Sequence, residues 1–246
     1  MLPTRHWILL RGLARGAGHW GSFIEKMQER FPDDEIELID LPGNGSRHRE
    51  TSPLEVKDYV RDLRQRSRTV QDGKSFHLLA VSLGAMIAVE WMREFPHEVE
   101  KAYLVCTSSS SYSPFYQRFQ PINILKALPL FITRPEGAEV ERIILDMITN
   151  SHARRQAEVL GLSTYSDTHP LRRQNALRQL VAAARYKFPQ GAPGEVKLIG
   201  TYGDRLVSPQ CTLSIAQAWG LKPAMHPWAG HDIPLDDPFW LLEQIT

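Results

Sequence analysis

Short apolar runs that alternate with helix-like stretches constrain the fold of this chain more than any other feature. Helix spacing extends over residues 20–31, 54–69 and 83–95. Strands that helices separate are joined by right-handed crossovers, so they pair in parallel with helices on both faces of the sheet. The pattern predicts an α/β fold with a mostly parallel sheet. The predicted strands are residues 7–10, 36–39, 76–81, 102–105, 196–202 and 224–227.

One serine lies at the junction of the third predicted strand and the helix that follows it. The local sequence from 80 to 84 is Ala-Val-Ser-Leu-Gly, with Ser82 at its centre. A serine at such a turn projects its oxygen from the carboxyl edge of the sheet, beside the backbone N–H of Leu83 and the positive end of the helix. Strand and helix approach closely there, so small flanking residues are needed. Gly84 meets that need fully, and Ala80 meets it in part.

A serine nucleophile needs a base, and the base needs an acid that orients it. Asp204 follows the fifth predicted strand, which places it at the same edge of the sheet as Ser82. His231 lies in a Gly- and Pro-marked loop ahead of the last helix, and a loop can bring it back over that edge. Asp232 is a rival acid, but the side chain next to an imidazole normally points away from it. We therefore predict Ser82, Asp204 and His231 as a catalytic triad.

The chain order serine, aspartate, histidine is that of the α/β-hydrolases, and the chain resembles this superfamily over nearly its full length. The segment 40–46, Asp-Leu-Pro-Gly-Asn-Gly-Ser, is similar to the family's Asp-x-Pro-Gly-x-Gly-x-Ser loop, and 203–209 is similar to its acid loop. Residues 7–13 resemble the strand and loop that carry an oxyanion residue. Two departures are Ala80 in place of the first elbow glycine and Arg11 in place of a histidine.

The resemblance implies further site residues. Backbone N–H groups of Leu13 and Leu83 would form the oxyanion hole. His19 and Trp20 follow the oxyanion loop and would line the substrate pocket; the alternative is that they stabilise the loop.

The alternation of strands and helices breaks between about 108 and 193, where amphipathic helices take over. We predict a helical cap at 111–189, inserted into a core formed by 1–110 and 190–246. In resembling proteins such a cap covers the site and shapes the acyl pocket. Residues 154–187 hold seven basic and two acidic side chains. Because the superfamily includes an esterase acting on a pimeloyl carrier-protein methyl ester, an acidic acyl-carrier protein is a candidate partner there; a solvated helix face is the alternative.

Composition narrows the remaining classes. A net charge of +1 gives no reason to expect nucleic acid as a partner, and no apolar stretch approaches the ~20 residues of a membrane helix. Two cysteines, Cys106 and Cys211, suit a reducing compartment, and the start of the chain lacks signal-peptide features, so we expect a cytoplasmic protein. Neither zinc-ligand spacing nor a nucleotide-binding glycine motif occurs, so we expect no metal and no cofactor.

These observations favour an enzyme that cleaves a small-molecule carboxylic ester or thioester through an acyl-enzyme on Ser82. Two alternatives stay open. The same triad supports carbon–carbon bond hydrolysis or a lyase step in other members of the superfamily, and fold alone does not decide chemistry. A non-catalytic binding protein that keeps the pocket is the third reading.

Overall fold

The structure is a computed structural model that describes residues 4–132 and 137–245. The strands of the described residues are β1 (His6–Leu10), β2 (Glu35–Leu38), β3 (Phe76–Val81), β4 (Val99–Val105), β5 (Val196–Thr201) and β6 (Ala224–His226). They form one sheet in the order β2-β1-β3-β4-β5-β6, and every pairing in it is parallel. The predicted α/β fold with a parallel sheet is confirmed, and each of the six predicted strands is present with its ends shifted by at most three residues.

The helices lie between these strands and after the last one. The α-helices of the described ranges are α1 (Phe23–Arg30), α2 (Val56–Arg66), α3 (Arg68–Gln71), α4 (Leu83–Glu94), α5 (Phe115–Arg118), α6 (Ile122–Ile132), α7 (Ala138–Ile148), α8 (His152–Thr168), α9 (Arg173–Arg185), α10 (Pro209–Trp219), α11 (Ile233–Asp236) and α12 (Pro238–Gln244). Two short 3-10 helices cover Ala17–Trp20 and Gly45–Arg47.

Two helices predicted as continuous are interrupted. The stretch 20–31 divides at Gly21, whose positive φ of 53° ends the 3-10 turn before α1 begins. The stretch 54–69 divides at Ser67, which is extended with ψ of 122°. The Ser67 hydroxyl donates to Glu37 and accepts from the Val70 N–H, so it caps α3. A side-chain cap competes with continuation of the helix. Here the hydroxyl that forms the cap is held by Glu37, which lies 30 residues away in the sequence.

The sheet separates two apolar clusters. Side chains alternate along β1, so Ile8 and Leu10 join one cluster while Trp7 and Leu9 join the other. Helices α2 and α4 cover the first face, and α1 and α12 cover the second. Both faces are therefore buried, and the carboxyl edge of the sheet is left as the place where side chains from several connections can meet.

Residues 106–195 connect β4 to β5 and contain α5 to α9. A third, smaller apolar cluster joins α7 and α8 to α11 through Leu145, Leu162 and Leu235. The insertion thus packs on the carboxyl-terminal part of the chain. The division into a core and a cap at 111–189 stays a prediction. Within the described ranges, no helix is both long and apolar enough to cross a membrane.

Candidate active site

Ser82 occupies a strained turn between β3 and α4. Its φ of 56° and ψ of −112° lie outside the regions that non-glycine residues prefer. The Ser82 N–H donates to the Val105 carbonyl over 2.9 Å, and the Thr107 hydroxyl donates to the Ser82 carbonyl over 3.0 Å. The backbone on both sides of the serine is thereby held by β4 and the loop after it. Strain held in this way is typical of functional sites.

The end of β1 lies directly against this turn. A Cβ on Gly84 would stand 2.6 Å from the Leu10 carbonyl oxygen and 2.8 Å from that of Arg11, so a side chain there would displace backbone. A Cβ on Gly12 would stand 3.1 Å from the Cβ of Ser82. Ala80, by contrast, pairs with Leu10 in the sheet and is fully buried. The glycine that is needed for close approach is therefore Gly84, and the alanine at 80 is accommodated.

Asp204 and His231 form a buried hydrogen-bonded pair. The Nδ1 atom of His231 lies 2.7 Å from Oδ2 of Asp204. The other carboxylate oxygen of Asp204 accepts the backbone N–H groups of Leu206 and Val207 over 2.8 and 2.9 Å. Because the carboxylate accepts at every contact, the neutral imidazole of His231 carries its proton on Nδ1 and its lone pair on Nε2. An imidazole in this state can accept a proton at Nε2.

The structure joins two of the three predicted catalytic residues and places the third at the same edge of the sheet. Ser82 follows β3, Asp204 follows β5 and His231 follows β6. Among residues 4–132 and 137–245, no hydrogen bond links the Ser82 hydroxyl to His231. Such bonds are often long in enzymes without substrate.

Cys106 directly follows β4 and lies beside the aspartate–histidine pair. Its thiol and the facing atoms of Asp204 and His231 all lie within 4.8 Å of one another. Burial, and secondarily the charges of Asp204 and Asp232, raise the pKa of this thiol well above its usual value. A protonated thiol is a poor metal ligand, and Nδ1 of His231 is already hydrogen-bonded, so we do not assign these residues to a metal site.

Asp232 bonds to Arg11 and not to the imidazole beside it. Two guanidinium nitrogens of Arg11 lie 3.1 and 2.5 Å from the two carboxylate oxygens of Asp232. The residues are 3% and 2% exposed, so the pair is sealed from water. Burial raises the pKa of Asp232, but the charge of Arg11 outweighs it and the net pKa lies below the usual value. Asp204 alone is therefore placed to orient His231.

The loop after β1 carries the predicted oxyanion residue Leu13, which is half-buried. Its neighbours have partners, because the Ala14 N–H donates to Gln179 over 2.8 Å and the Arg15 N–H to the Gly12 carbonyl over 3.3 Å. Leu83 is the first residue of α4, where an N–H has no acceptor inside the helix. The roles of Leu13 and Leu83 in an oxyanion hole stay predictions.

His19 and Trp20 make the contacts of the loop-stabilising alternative. Nδ1 of His19 accepts the Gly16 N–H over 2.9 Å, and its Nε2 lies 3.0 Å from the Ser166 hydroxyl. Trp20 is 1% exposed, and the Arg11 guanidinium lies 4.8 Å from its ring. Burial, reinforced by Arg15, lowers the pKa of His19 to about 4. Both rings are thus engaged by protein groups, and their contact with substrate stays a prediction.

A second buried ion pair ties the loop after β1 to the insertion. Arg15 donates to both carboxylate oxygens of Glu141 in α7, at 2.9 and 2.8 Å. Ser166 in α8 donates to the same carboxylate over 2.6 Å. Burial raises the pKa of Glu141, but Arg15 and the hydrogen bond from His19 hold the net pKa well below its usual value. A buried ion pair therefore anchors α7 to the loop after β1.

The basic side chains of 154–187 do not form one free patch. Arg155 pairs with Asp146 over 2.8 Å, and Arg185 pairs with Glu55 over 3.5 Å. Arg178 donates to the Ser52 carbonyl over 2.5 Å. Part of the basic surplus is thus compensated within the chain, and binding of an acidic acyl-carrier protein stays a prediction.

The fold and the site agree with a known family. Residues 7–244 match the model of the alpha/beta hydrolase family, so the chain belongs to that family. In this family the triad residues come in the chain order serine, acid, histidine, and Ser82, Asp204 and His231 follow β3, β5 and β6 in that order.

Among curated proteins, a region of 137 residues is 24% identical to the monoacylglycerol lipase ABHD6 of Mus musculus. It covers 52% of this chain and 40% of that protein, so the chain spans less than half the length of this relative. Two solved structures with similar folds are an esterase from Thermogutta terrifontis and a meta-cleavage product hydrolase from Pseudomonas fluorescens. Their TM-scores are 0.73 and 0.76, both at 13% identity, covering 98% of this chain and 88% and 89% of theirs.

Sequence reasoning missed the pairing of Arg11 with Asp232. Both residues stood out in the sequence, the first as a departure from the family histidine and the second as a rival acid. Each was weighed by itself, and nothing local connects positions 221 residues apart. One signal in the sequence could have indicated the pair: an unexpected cation, Arg11, lies close to Leu13, and an unexpected anion, Asp232, directly follows His231.

Proposed function

We propose that this protein is a serine hydrolase that cleaves carboxylic esters or thioesters through an acyl-enzyme on Ser82. The observation that carries the proposal is the Asp204–His231 pair, held with its Nε2 lone pair free at the same edge of the sheet as the strained Ser82 turn. A strained serine at a helix N-terminus and an oriented imidazole are the two parts that acyl transfer requires.

The residues take the following roles. His231 accepts the Ser82 proton at Nε2 as the serine oxygen attacks the acyl carbonyl carbon. Asp204 accepts the N–H groups of Leu206, Val207 and the His231 ring, and its carboxylate stabilises the imidazolium that forms. The N–H groups of Leu83 and Leu13 bind the oxyanion. His231 then protonates the departing alcohol or thiol, and a water molecule activated by the same imidazole releases the acyl group.

An ester is the proposed substrate class because the curated relative is named as a monoacylglycerol lipase. One of the similar structures is an esterase, and another is a meta-cleavage product hydrolase, which marks carbon–carbon hydrolysis as the competing chemistry. At 13% identity these two structures show a shared fold only, so the likeness to the meta-cleavage product hydrolase does not favour carbon–carbon hydrolysis.

The test is the rate of nitrophenol release from p-nitrophenyl acetate, butyrate and octanoate by the wild type and by Ser82→Ala. We expect turnover by the wild type and a loss of about 10⁴-fold or more in the variant. The chain-length profile then measures how long an acyl group the site accepts. Ser75→Ala is the matched control, because Ser75 is exposed at the other end of the same strand.

Two outcomes would contradict the proposal. Turnover by Ser82→Ala close to that of the wild type would remove the serine from the mechanism. A folded wild type that releases no nitrophenol, but cleaves a vinylogous 1,5-diketone between carbons, would transfer the same residues to carbon–carbon hydrolysis.

A further inference from the structure

We propose that Arg11 and Asp232 form a positioning pair, which holds the His231 loop against the end of β1. The two side chains also neutralise each other's charges next to the catalytic base. This inference rests on the proposed function, because it assigns His231 as that base. Nothing in the fold of a parallel sheet requires an arginine or an aspartate at these positions. Together they explain two features of the sequence that are otherwise unrelated.

The geometry connects the pair to both halves of the site. Arg11 directly follows β1, and its carbonyl oxygen lies against Gly84 in the serine turn. Asp232 directly follows His231, and its backbone N–H donates to the Ile148 carbonyl at the end of α7. A bidentate contact between a planar guanidinium and a carboxylate fixes orientation as well as distance. The pair therefore sets where the His231 backbone stands relative to Ser82.

Trp20 supports the arginine from the other side. The guanidinium lies 4.8 Å from the indole ring centroid, and Trp20 itself packs against Phe23 in the second apolar cluster. A cation held between an aromatic face and a carboxylate has little freedom to move. Trp20, for which the sequence left pocket lining and loop stabilisation as alternatives, thus contacts Arg11 on one side and the second apolar cluster on the other.

Charge balance around His231 gives the pair its second effect. The charged and titratable groups of the described residues near this imidazole come from several elements: Asp204 after β5, Cys106 after β4, Arg11 after β1, Arg15 in the next loop, Asp232 beside it and Asp236 in α11. Asp236 accepts hydrogen bonds from the Gly230 and Asn150 N–H groups, and Arg15 forms an ion pair with Glu141. Removing the Asp232 carboxylate leaves Arg11 as a buried cation without its carboxylate partner, facing the residue that directly follows His231.

The first test is Asp232→Asn, which keeps the shape of the side chain and removes its charge. An unpaired cation disfavours the imidazolium, so the pKa of His231 should fall by about 1 pH unit. The acid limb of the kcat/KM profile should move to lower pH by the same amount. Adding Arg11→Met to this variant removes the cation, and the pKa of His231 should return to the wild-type value.

The second test separates positioning from charge. Arg11→Lys keeps the positive charge but loses the bidentate contact, so we expect kcat to fall about 10-fold with KM and the acid limb unchanged. Arg11→Lys retains both charges of the pair, so it serves as the test if Asp232→Asn does not fold. Arg47→Met is the control for the loss of an ion pair made by a buried arginine, because Arg47 pairs with Glu50 and Asp62 and not with Asp232 or His231. It should lower the melting temperature and leave the pKa of His231 unchanged.

The pKa of His231 is measured by NMR titration of its ring carbon-bound protons in the resting enzyme, assigned with His231→Ala. This readout needs no turnover, so failure of ester hydrolysis and failure of the pair are recorded separately. The inference is overturned if His231 in Asp232→Asn has the same pKa as in the wild type. It is also overturned if Arg11→Met, added to Asp232→Asn, fails to restore that pKa, or if Arg11→Lys keeps full kcat.

Discussion

At the scale of single residues, the Asp204 carboxylate determines which nitrogen of His231 carries the proton. One of its oxygens is committed to the Leu206 and Val207 N–H groups, and only the other faces the imidazole. The carboxylate therefore has one oxygen for each task. We therefore expect that replacing the carboxylate at 204 by an amide of the same shape changes which nitrogen of His231 carries the proton.

Asp204→Asn tests this division of labour. The amide oxygen is expected to keep the two backbone N–H groups, so the amide NH₂ would face Nδ1 of His231 and force the ring proton onto Nε2. A base that is protonated on the wrong nitrogen cannot accept the serine proton, and kcat should fall about 10⁴-fold. Turnover is measured with p-nitrophenyl butyrate, and Asp72→Asn, exposed in the loop before β3, is the control. A loss smaller than tenfold would contradict the assignment of Asp204.

Two glycines with opposite surroundings test the close approach at the serine turn. Gly84→Ala places a Cβ 2.6 Å from the Leu10 carbonyl oxygen, so backbone must move and we expect a loss of about 1–3 kcal/mol in the free energy of unfolding. Gly161→Ala meets no atom within 4 Å in α8 and should stabilise the protein by about 0.5–1 kcal/mol. Urea unfolding measures both. Equal effects would show that β1 does not limit the residue at 84.

At the scale of elements, the loop after β1 is held by polar contacts to several distant parts of the chain. Arg11 bonds to the histidine loop, Arg15 to α7 and His19 to α8. Asp40 accepts the Ala17 N–H over 2.6 Å, together with the N–H and hydroxyl of Ser46. The loop that resembles the family's Asp-x-Pro-Gly segment thus supports the loop after β1. With the bond from Ala14 to Gln179 in α9, the loop after β1 is anchored to five other parts of the chain.

His19 makes these anchors sensitive to pH. Its pKa is about 4 in the folded protein and 6.5 in the unfolded chain, so between these values only the unfolded chain binds the proton. Stability is therefore lost as pH falls below 6.5, and this residue alone should cost about 2 kcal/mol between pH 7 and pH 5. Glu141, whose folded pKa is lowered, adds to the loss only below its unfolded value of 4.5.

The measurement is urea unfolding at pH 7 and pH 5 for the wild type and His19→Gln. The variant should show a smaller difference between the two pH values, because glutamine does not titrate. His97→Gln is the control, since that histidine is exposed in the loop before β4. The explanation fails if His19→Gln and the wild type lose the same free energy between pH 7 and pH 5.

At the scale of the whole molecule, the sheet was predictable and the polar connections were not. Strands read from apolar runs were correct because burial on both faces leaves a local signature. The positions of Ser82, Asp204 and His231 followed, since each comes directly after a strand or its loop. The break at Ser67 and the pairs of Arg11 and Arg15 depend on partners 30 to 221 residues away, so no local pattern encodes them.

The order of the strands also has a consequence for how the chain is made. β4 pairs with β3 on one side, but its other neighbour, β5, comes only after residues 106–195 have been synthesised. At roughly 5–20 residues per second, the ribosome needs about 5 to 20 seconds for that stretch. During this time the first four strands present an open apolar edge that invites misassociation. The nascent chain is therefore most exposed to aggregation just before β5, the strand that leads to Asp204, emerges.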